Sequence, residues 1–164
     1  MKQQRRPRDV DPDPEACIFM ARSCLSASLR KTERVVTRHY DSYLAAAGIT
    51  AVQLPMIAII AAAEEPSFRL LAEQLDLDRS TLSRNLALLR EKGIVKIGPS
   101  SGPKPGLISL TAKGRNTLRR ASERWHEAHR ALAKALTEKT MVQGVDFLKN
   151  LRRGARGARP GDDD

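Results

Sequence analysis

Aromatic side chains are scarce in this chain: one Trp, two Tyr and three Phe make up 4% of its 164 residues. Alanine, leucine and arginine are abundant instead. That balance suits a helix-rich protein and argues against a β-sandwich, whose strands draw on aromatic and β-branched residues. Cysteine is nearly absent too. Two thiols, Cys17 and Cys24, exclude a disulfide-stapled scaffold, and three histidines without cysteines or acids at ligand spacing make no metal site. Long apolar runs are missing. The longest candidate, Leu54 to Ala63, is too short to span a bilayer and has a proline in second position. The basic amino terminus lacks the apolar segment of a signal peptide, so the chain is expected in the cytoplasm, where both thiols would stay reduced. No Ser-His-Asp set, glycine-rich phosphate loop or catalytic carboxylate pair is found, which excludes an enzyme; no cofactor is expected.

Acidic residues are the minority charge. Nineteen Asp and Glu face 29 Lys and Arg, a formal +10. The first sixteen residues balance four cations against four acids, and the last thirteen set four arginines against three aspartates. Taking that +1 from +10 leaves +9 on the folded middle, so the basicity is not a property of the tails. A basic folded body implies a polyanionic partner, nucleic acid above all.

The length fits one domain with helical extensions. Residues 1–12 are polar and charge-mixed and read as a disordered arm. Asp13-Pro14-Glu15 is a helix start, with a capping aspartate, a proline at the first position and an acid near the positive end. No Gly or Pro follows until Gly48, so one helix is predicted over 13–47. Its Phe19, Leu25, Leu29, Val36, Tyr40 and Leu44 form a stripe longer than a small domain needs, which predicts a dimerisation helix. Thr50-Ala-Val-Gln53 is a capping box opening a helix to about Ala63. Ser67 caps a third helix, Phe68 to Leu75; Asp76 occupies a sharp turn, and Asp78 caps a fourth helix that Gly93 closes. Ile94–Ile97 and Leu107–Leu110 read as strands around Gly98–Gly106, a loop with three prolines and three glycines. Thr111 caps a fifth helix with a seam of Leu118, Ala121, Trp125, Ala128, Leu132 and Leu136. A sixth, from about Met141 to Leu151, carries Val142, Val145, Phe147 and Leu148. The resulting expectation is a mainly α fold of about six helices and a two-stranded β wing. A winged helix-turn-helix spans 48–110, dimerisation helices span 13–47 and 111–151, and a disordered tail spans 152–164.

The fourth helix has two faces. Leu82, Leu86 and Leu89 lie together, with Leu88 on the flank; Ser80, Ser83, Arg84, Ala87 and Glu91 lie opposite. In a helix-turn-helix this second helix enters the DNA major groove. Arg84 is the first choice for a base contact, because arginine reads guanine bidentately. Ser80, Thr81 and Ser83 reach bases or phosphates, Arg79 near the helix start suits a phosphate, and Lys96 and Lys104 on the wing meet phosphate. The alternative is that Ser80 and Thr81 only support the helix start while Arg79 and Arg84 face solvent. Asn85 lies nearer the buried side and is expected to bond within the protein.

Five pieces in this order resemble the MarR-type transcriptional regulators. They are Arg34-Val-Val-Thr-Arg-His-Tyr-Asp41, Gly48-Ile-Thr-Ala-Val-Gln53, Leu71-Ala72, Asp78-Arg-Ser-Thr-Leu-Ser-Arg-Asn-Leu86 and Leu110-Thr-Ala-Lys-Gly114. The resemblance implies a homodimeric repressor on a palindromic double-stranded operator, released by a small-molecule effector or by oxidation, with no membrane partner. The alternative is a winged-helix module acting by nonspecific DNA or protein contact. One departure stands out: where the family's wing usually carries Asp-x-Arg, this chain has Gly102-Pro103-Lys104. Lysine keeps the charge but not the planar fork, which implies a weaker grip on the minor groove. The resemblance also implies a ligand cleft at Arg34, His39, Tyr40, Trp125 and His129, although His39 and His129 alternatively read as surface residues and Trp125 as core. Cys17 and Cys24 are two turns apart along the predicted helix, roughly 10 Å, too far for a disulfide within one chain. They read either as small buried apolar side chains or as a thiol switch.

Overall fold

Asp13 opens the first helix as its sequence predicts: its carboxylate accepts the Glu15 N–H at 3.1 Å, with Pro14 at the first helical position. In this computed structural model, which describes residues 13–63, 65–99 and 106–158, the single helix predicted over 13–47 is instead two. Helix α1 is Pro14–Ser23 and α2 is Leu25–Leu44, separated by Cys24 in an extended conformation (φ −68°, ψ 106°). Helical hydrogen bonds continue on both sides, from Cys24 N–H to Met20 O and from Ser28 N–H to Cys24 O. The break has a physical reason. Ser23, Cys24, Ser26 and Ser28 are indifferent helix formers, and α1 buries no residue whose packing would hold the two segments in line. The two-turn geometry inferred for Cys17 and Cys24 therefore does not apply. Neither cysteine is buried: Cys17 is half-exposed and Cys24 exposed, so the reading of two buried apolar side chains is not met within this chain.

The described chain divides into an amino-terminal unit ending at Arg38 and a larger one beginning at His39. In the larger unit, a 3-10 turn over Ala45–Ala47 and a left-handed Gly48 (φ 77°) end the α2 helix. The capping box then forms as read: Thr50 N–H donates to Gln53 Oε1 and Gln53 N–H to Thr50 Oγ1, both at 3.3 Å. Helix α3 is Gln53–Ala62, α4 Phe68–Leu75 and α5 Arg79–Glu91. Ser67 caps α4 by accepting the Leu70 N–H at 3.2 Å. Asp76 takes the left-handed turn (φ 53°, ψ 42°) between α4 and α5. Strands β1 (Val95–Ile97) and β2 (Ile108–Leu110) pair antiparallel, with Val95 opposite Leu110 and Ile97 opposite Ile108. The wing is fixed at its base, because Ile108 N–H donates to Pro66 O at 3.1 Å, ahead of α4.

One core unites these elements. Leu82, Leu86 and Leu89 of α5 are buried with Met56, Ile57 and Ile60 of α3, Leu71 of α4, and Val95 and Ile108 of the wing. Helix α6 (Ala112–Leu136) closes it through Ala121. The start of α6 explains the Leu110-Thr-Ala-Lys-Gly114 pattern. The Thr111 hydroxyl accepts the Gly114 N–H at 2.9 Å, and Thr111 N–H donates to Ile94 O at 3.1 Å. A Cβ at position 114 would fall 2.0 Å from that same Ile94 carbonyl oxygen, so only glycine fits.

Helix α7 runs from Glu138 to Gly157, with Thr137 as its cap. It starts earlier than the sequence suggested and continues through residues read as the disordered tail. Arg152, Arg153, Ala155 and Arg156 are good helix formers, and arginine suits the negative end of the helix dipole. Residues 159–164, the rest of that tail, and the arm at 1–12 lie outside the described residues. No helix is long and apolar enough to cross a membrane among the described residues.

Candidate nucleic-acid interface

The amino terminus of α5 is organised by one carboxylate. Asp78 Oδ1 accepts the Thr81 N–H at 2.8 Å and the Ser80 hydroxyl at 2.6 Å, while Oδ2 accepts the Thr81 hydroxyl at 2.7 Å. These donors, the Ser80 hydroxyl first, hold Asp78 well below the usual carboxylate range. With both hydroxyl protons committed to Asp78, the oxygens of Ser80 and Thr81 are left as acceptors.

Arg84 lies on the same exposed face. Its Nε donates to Ser80 O and its Nη2 to Ser80 Oγ, each at 3.3 Å, so the guanidinium is folded back toward the helix start. Ser83 is exposed beside it. Arg79 is exposed with its guanidinium 5.7 Å from the centre of the Phe68 ring, a cation–π contact that joins the first residues of α4 and α5. Asn85 turns inward as read, donating from Nδ2 to Thr81 O at 2.9 Å. Lys96 is exposed on β1 opposite Ser109. Lys104, with the rest of Gly102-Pro103-Lys104, lies outside the described residues. The structure thus gathers Arg79, Ser80, Ser83 and Arg84 on the uncovered face of α5, with Thr81 half-buried at its edge.

A second site lies where α6 meets α2 and α7. A cleft of about 580 Å³ is lined by Tyr40 of α2, Trp125 and His129 of α6, and Met141, Val142, Val145 and Lys149 of α7 among others. His129 stacks on Trp125 with ring centres 4.8 Å apart, and the Tyr40 hydroxyl stands 3.3 Å from His129 Nδ1. Burial pushes the Tyr40 phenol up, so it keeps its proton. A smaller hollow of about 210 Å³ shares Tyr40 and Trp125 and reaches Leu54 and Pro55 of α3. These two aromatic side chains therefore separate the cleft from the helix that packs on α4.

His39 is not in the lining. Its Nε2 donates to Ala128 O at 2.9 Å, and its ring meets Tyr40 edge-on at 5.4 Å. Arg34 is not in it either; with Cys24, Ser26, Ala27 and Arg30 it lines a shallow cavity of about 320 Å³ in the amino-terminal unit. The sequence reading missed the α7 contribution, Lys149 and Glu138 above all. The only signal for Lys149 was position on a helix whose apolar residues had been assigned to dimerisation, and Glu138 lies before the predicted start of that helix. No cluster of His, Cys, Asp or Glu able to hold a metal is found among the described residues.

Comparison with known proteins gives these sites a context. Residues 47–104 match the model of the MarR family. The M. tuberculosis transcriptional regulator MosR, solved in complex with DNA, is similar over 84% of this chain and 99% of its own, with 27% identity and a TM-score of 0.73. A cysteine-to-serine mutant of MarR from E. coli, complexed with operator DNA, is similar over 82% of this chain and 97% of its own, with 25% identity and a TM-score of 0.71. The transcriptional repressor CouR bound to p-coumaroyl-CoA shares the fold, with a TM-score of 0.73 at 21% identity over 82% of this chain and 95% of its own. No curated protein matches the sequence. The family model falls on the helix-turn-helix and the first strand of the wing, and the structural likeness extends over the terminal helices. Over residues 47–104 the chain matches the MarR family, on a fold it shares with transcriptional regulators solved on DNA.

Proposed function

We propose that this protein is a homodimeric repressor that binds a palindromic DNA operator through α5 and is released by a small molecule. The observation that carries the reading is the face of α5: Ser80, Ser83 and Arg84 uncovered on one side, Leu82, Leu86 and Leu89 buried on the other. A helix anchored so firmly presents its polar side as a rigid reading head. The apolar residues left exposed on α1 and α7, including Phe19, Val142 and Phe147, support the dimer. Two-fold symmetry would then set two copies of α5 about 34 Å apart, one DNA turn, for adjacent major grooves.

Release follows from the cleft. A ligand seated against Trp125, His129 and Tyr40 presses on two side chains, Trp125 and Tyr40, that also line the hollow beside α3, which in turn packs against α4. Moving that stack changes the angle at which each α5 is presented, and binding affinity changes by the difference between the two arrangements. CouR, solved with p-coumaroyl-CoA, supports a ligand of the organic acid or thioester class.

The test is binding to duplex DNA from upstream of the protein's own gene, against a scrambled duplex. Arg84→Ala is expected to cost about 1–3 kcal/mol of operator affinity, roughly 5- to 150-fold, while the dimer survives. Specific binding retained in Arg84→Ala would mean that the wrong face is on the DNA. Equal affinity of the wild type for both duplexes would favour the nonspecific binding module. Release by peroxide that disappears in Cys24→Ser would move the signal from the cleft to the exposed thiol.

A further inference from the structure

Helix α7 ends at the helix-turn-helix. Arg156 Nη2 lies 2.9 Å from Asp76 Oδ2, joining residues that are far apart in sequence. Asp76 is the left-handed residue between α4 and α5, two positions before Asp78, the cap of α5. Two residues of chain span at most about 7 Å, so the end of α7 is held beside the amino terminus of the reading helix. In a helix-turn-helix that terminus is the part driven toward the groove and its flanking phosphates.

The spacing of the arginines does the rest. Arg152, Arg153 and Arg156 stand at i, i+1 and i+4, so Arg152 and Arg153 both lie on the side of α7 that carries Arg156, about one turn or 5.4 Å before it. All three are exposed, and no ion pair occupies Arg152 or Arg153 among the described residues. Charge complementarity selects the occupant. Asp76 and Asp78 place two carboxylates where DNA phosphates would approach; Arg156 offsets the first, and Arg152 and Arg153 add positive charge at the same edge. An exposed Arg–Asp pair contributes little to stability in isolation, so its consequence lies in what it positions.

We propose that the carboxyl-terminal end of α7 is a second DNA-contacting element, with Arg152 and Arg153 gripping the phosphate backbone beside α5 and Arg156 docking that end on Asp76. The assignment rests on the DNA-binding reading above, and the experiment separates the two. Dissociation constants for the upstream duplex and a scrambled duplex are measured across a salt series with wild type, Arg84→Ala, Arg152→Ala/Arg153→Ala and Arg152→Lys/Arg153→Lys. Each phosphate contact contributes about 0.9 to the slope of log affinity against log salt. The double alanine variant is expected to lose about two units of slope per protomer, roughly 3.6 for the dimer, and to weaken on both duplexes by the same factor, because phosphate carries no sequence. The double lysine variant keeps the slope, since such a contact needs only the charge. Arg84→Ala erases the preference between duplexes instead. A double alanine variant with the wild-type slope and affinity overturns the assignment while leaving α5 as the reader. A wild type that binds neither duplex at low salt overturns both.

Discussion

Helices α5 and α7 carry similar apolar stripes and put them to opposite use. In α5, Leu82 and Leu89 are fully buried and Leu86 is 2% exposed; in α7, Val142, Val145, Phe147 and Leu148 are between 42% and 62% exposed. The carboxyl end of α5 is fixed by tertiary structure, since Ile94, just past it, enters the same core. The start of α7 depends on local devices, the Thr137 hydroxyl as cap and Glu138 in the first turn, and its far end is tied only by the exposed Arg156–Asp76 pair. The pattern of a stripe shows that it seeks a partner surface, and only packing shows whether the chain itself supplies one. For α5 it does. For α7 it covers one edge, along α6, and leaves the rest open.

The sharpest way to test that difference is to remove one side chain from each stripe. Leu82→Ala is expected to cost about 2–5 kcal/mol, because the surrounding core can close over the missing atoms only in part. That is a large fraction of the about 5–15 kcal/mol by which domains are stable, and chemical denaturation would report it as a lower midpoint with an unchanged slope. An unaltered midpoint would mean that α5 is not anchored as described.

Phe147→Asp should behave in the opposite way. The side chain is 57% exposed in the single chain, so its replacement is expected to change monomer stability by no more than about 0.5 kcal/mol. Self-association is where the effect should appear. Sedimentation equilibrium is expected to show at least a tenfold weaker dimer, from the loss of apolar contact and the burial of a charge. A dimer of unchanged affinity would remove α7 from the interface.

The two regions also differ in how much of them could be read in advance. The helix-turn-helix was legible because its signals are local and mutually consistent: the Thr50/Gln53 box, the Ser67 and Asp78 caps, Asp76 in the turn and three leucines on one face. Each leaves a mark within four residues of its effect. The break at Cys24 left none stronger than a few serines, since it depends on the absence of packing around α1. The continuation of α7 to Gly157 was hidden by Gly154, a residue type that usually marks an end and here lies inside the helix. The Arg156–Asp76 contact and the arrangement of Tyr40, Trp125 and His129 with Lys149 join distant parts of the sequence, and no spacing rule encodes such pairs.

The smallest effect separates the two helices by their caps. The folded state holds Asp78 below a carboxylate's ordinary 3.8, so unfolding releases a group that binds protons more readily. Its stabilising contribution is therefore complete above about pH 5, where both states are ionised, and is lost as the pH falls toward the folded value. Asp78→Ala is expected to lower the melting temperature modestly at neutral pH, and the gap from wild type should narrow as the solution is acidified below about pH 5. Thr137 caps α7 with a hydroxyl, accepting the Thr140 N–H at 3.3 Å, and has no proton to titrate in this range. Any melting difference caused by Thr137→Ala should therefore stay constant over the same pH interval. If both differences moved together with pH, acidification would be acting on the whole fold, and the hydrogen bonds that Ser80 and Thr81 donate to Asp78 would not be what sets its acidity.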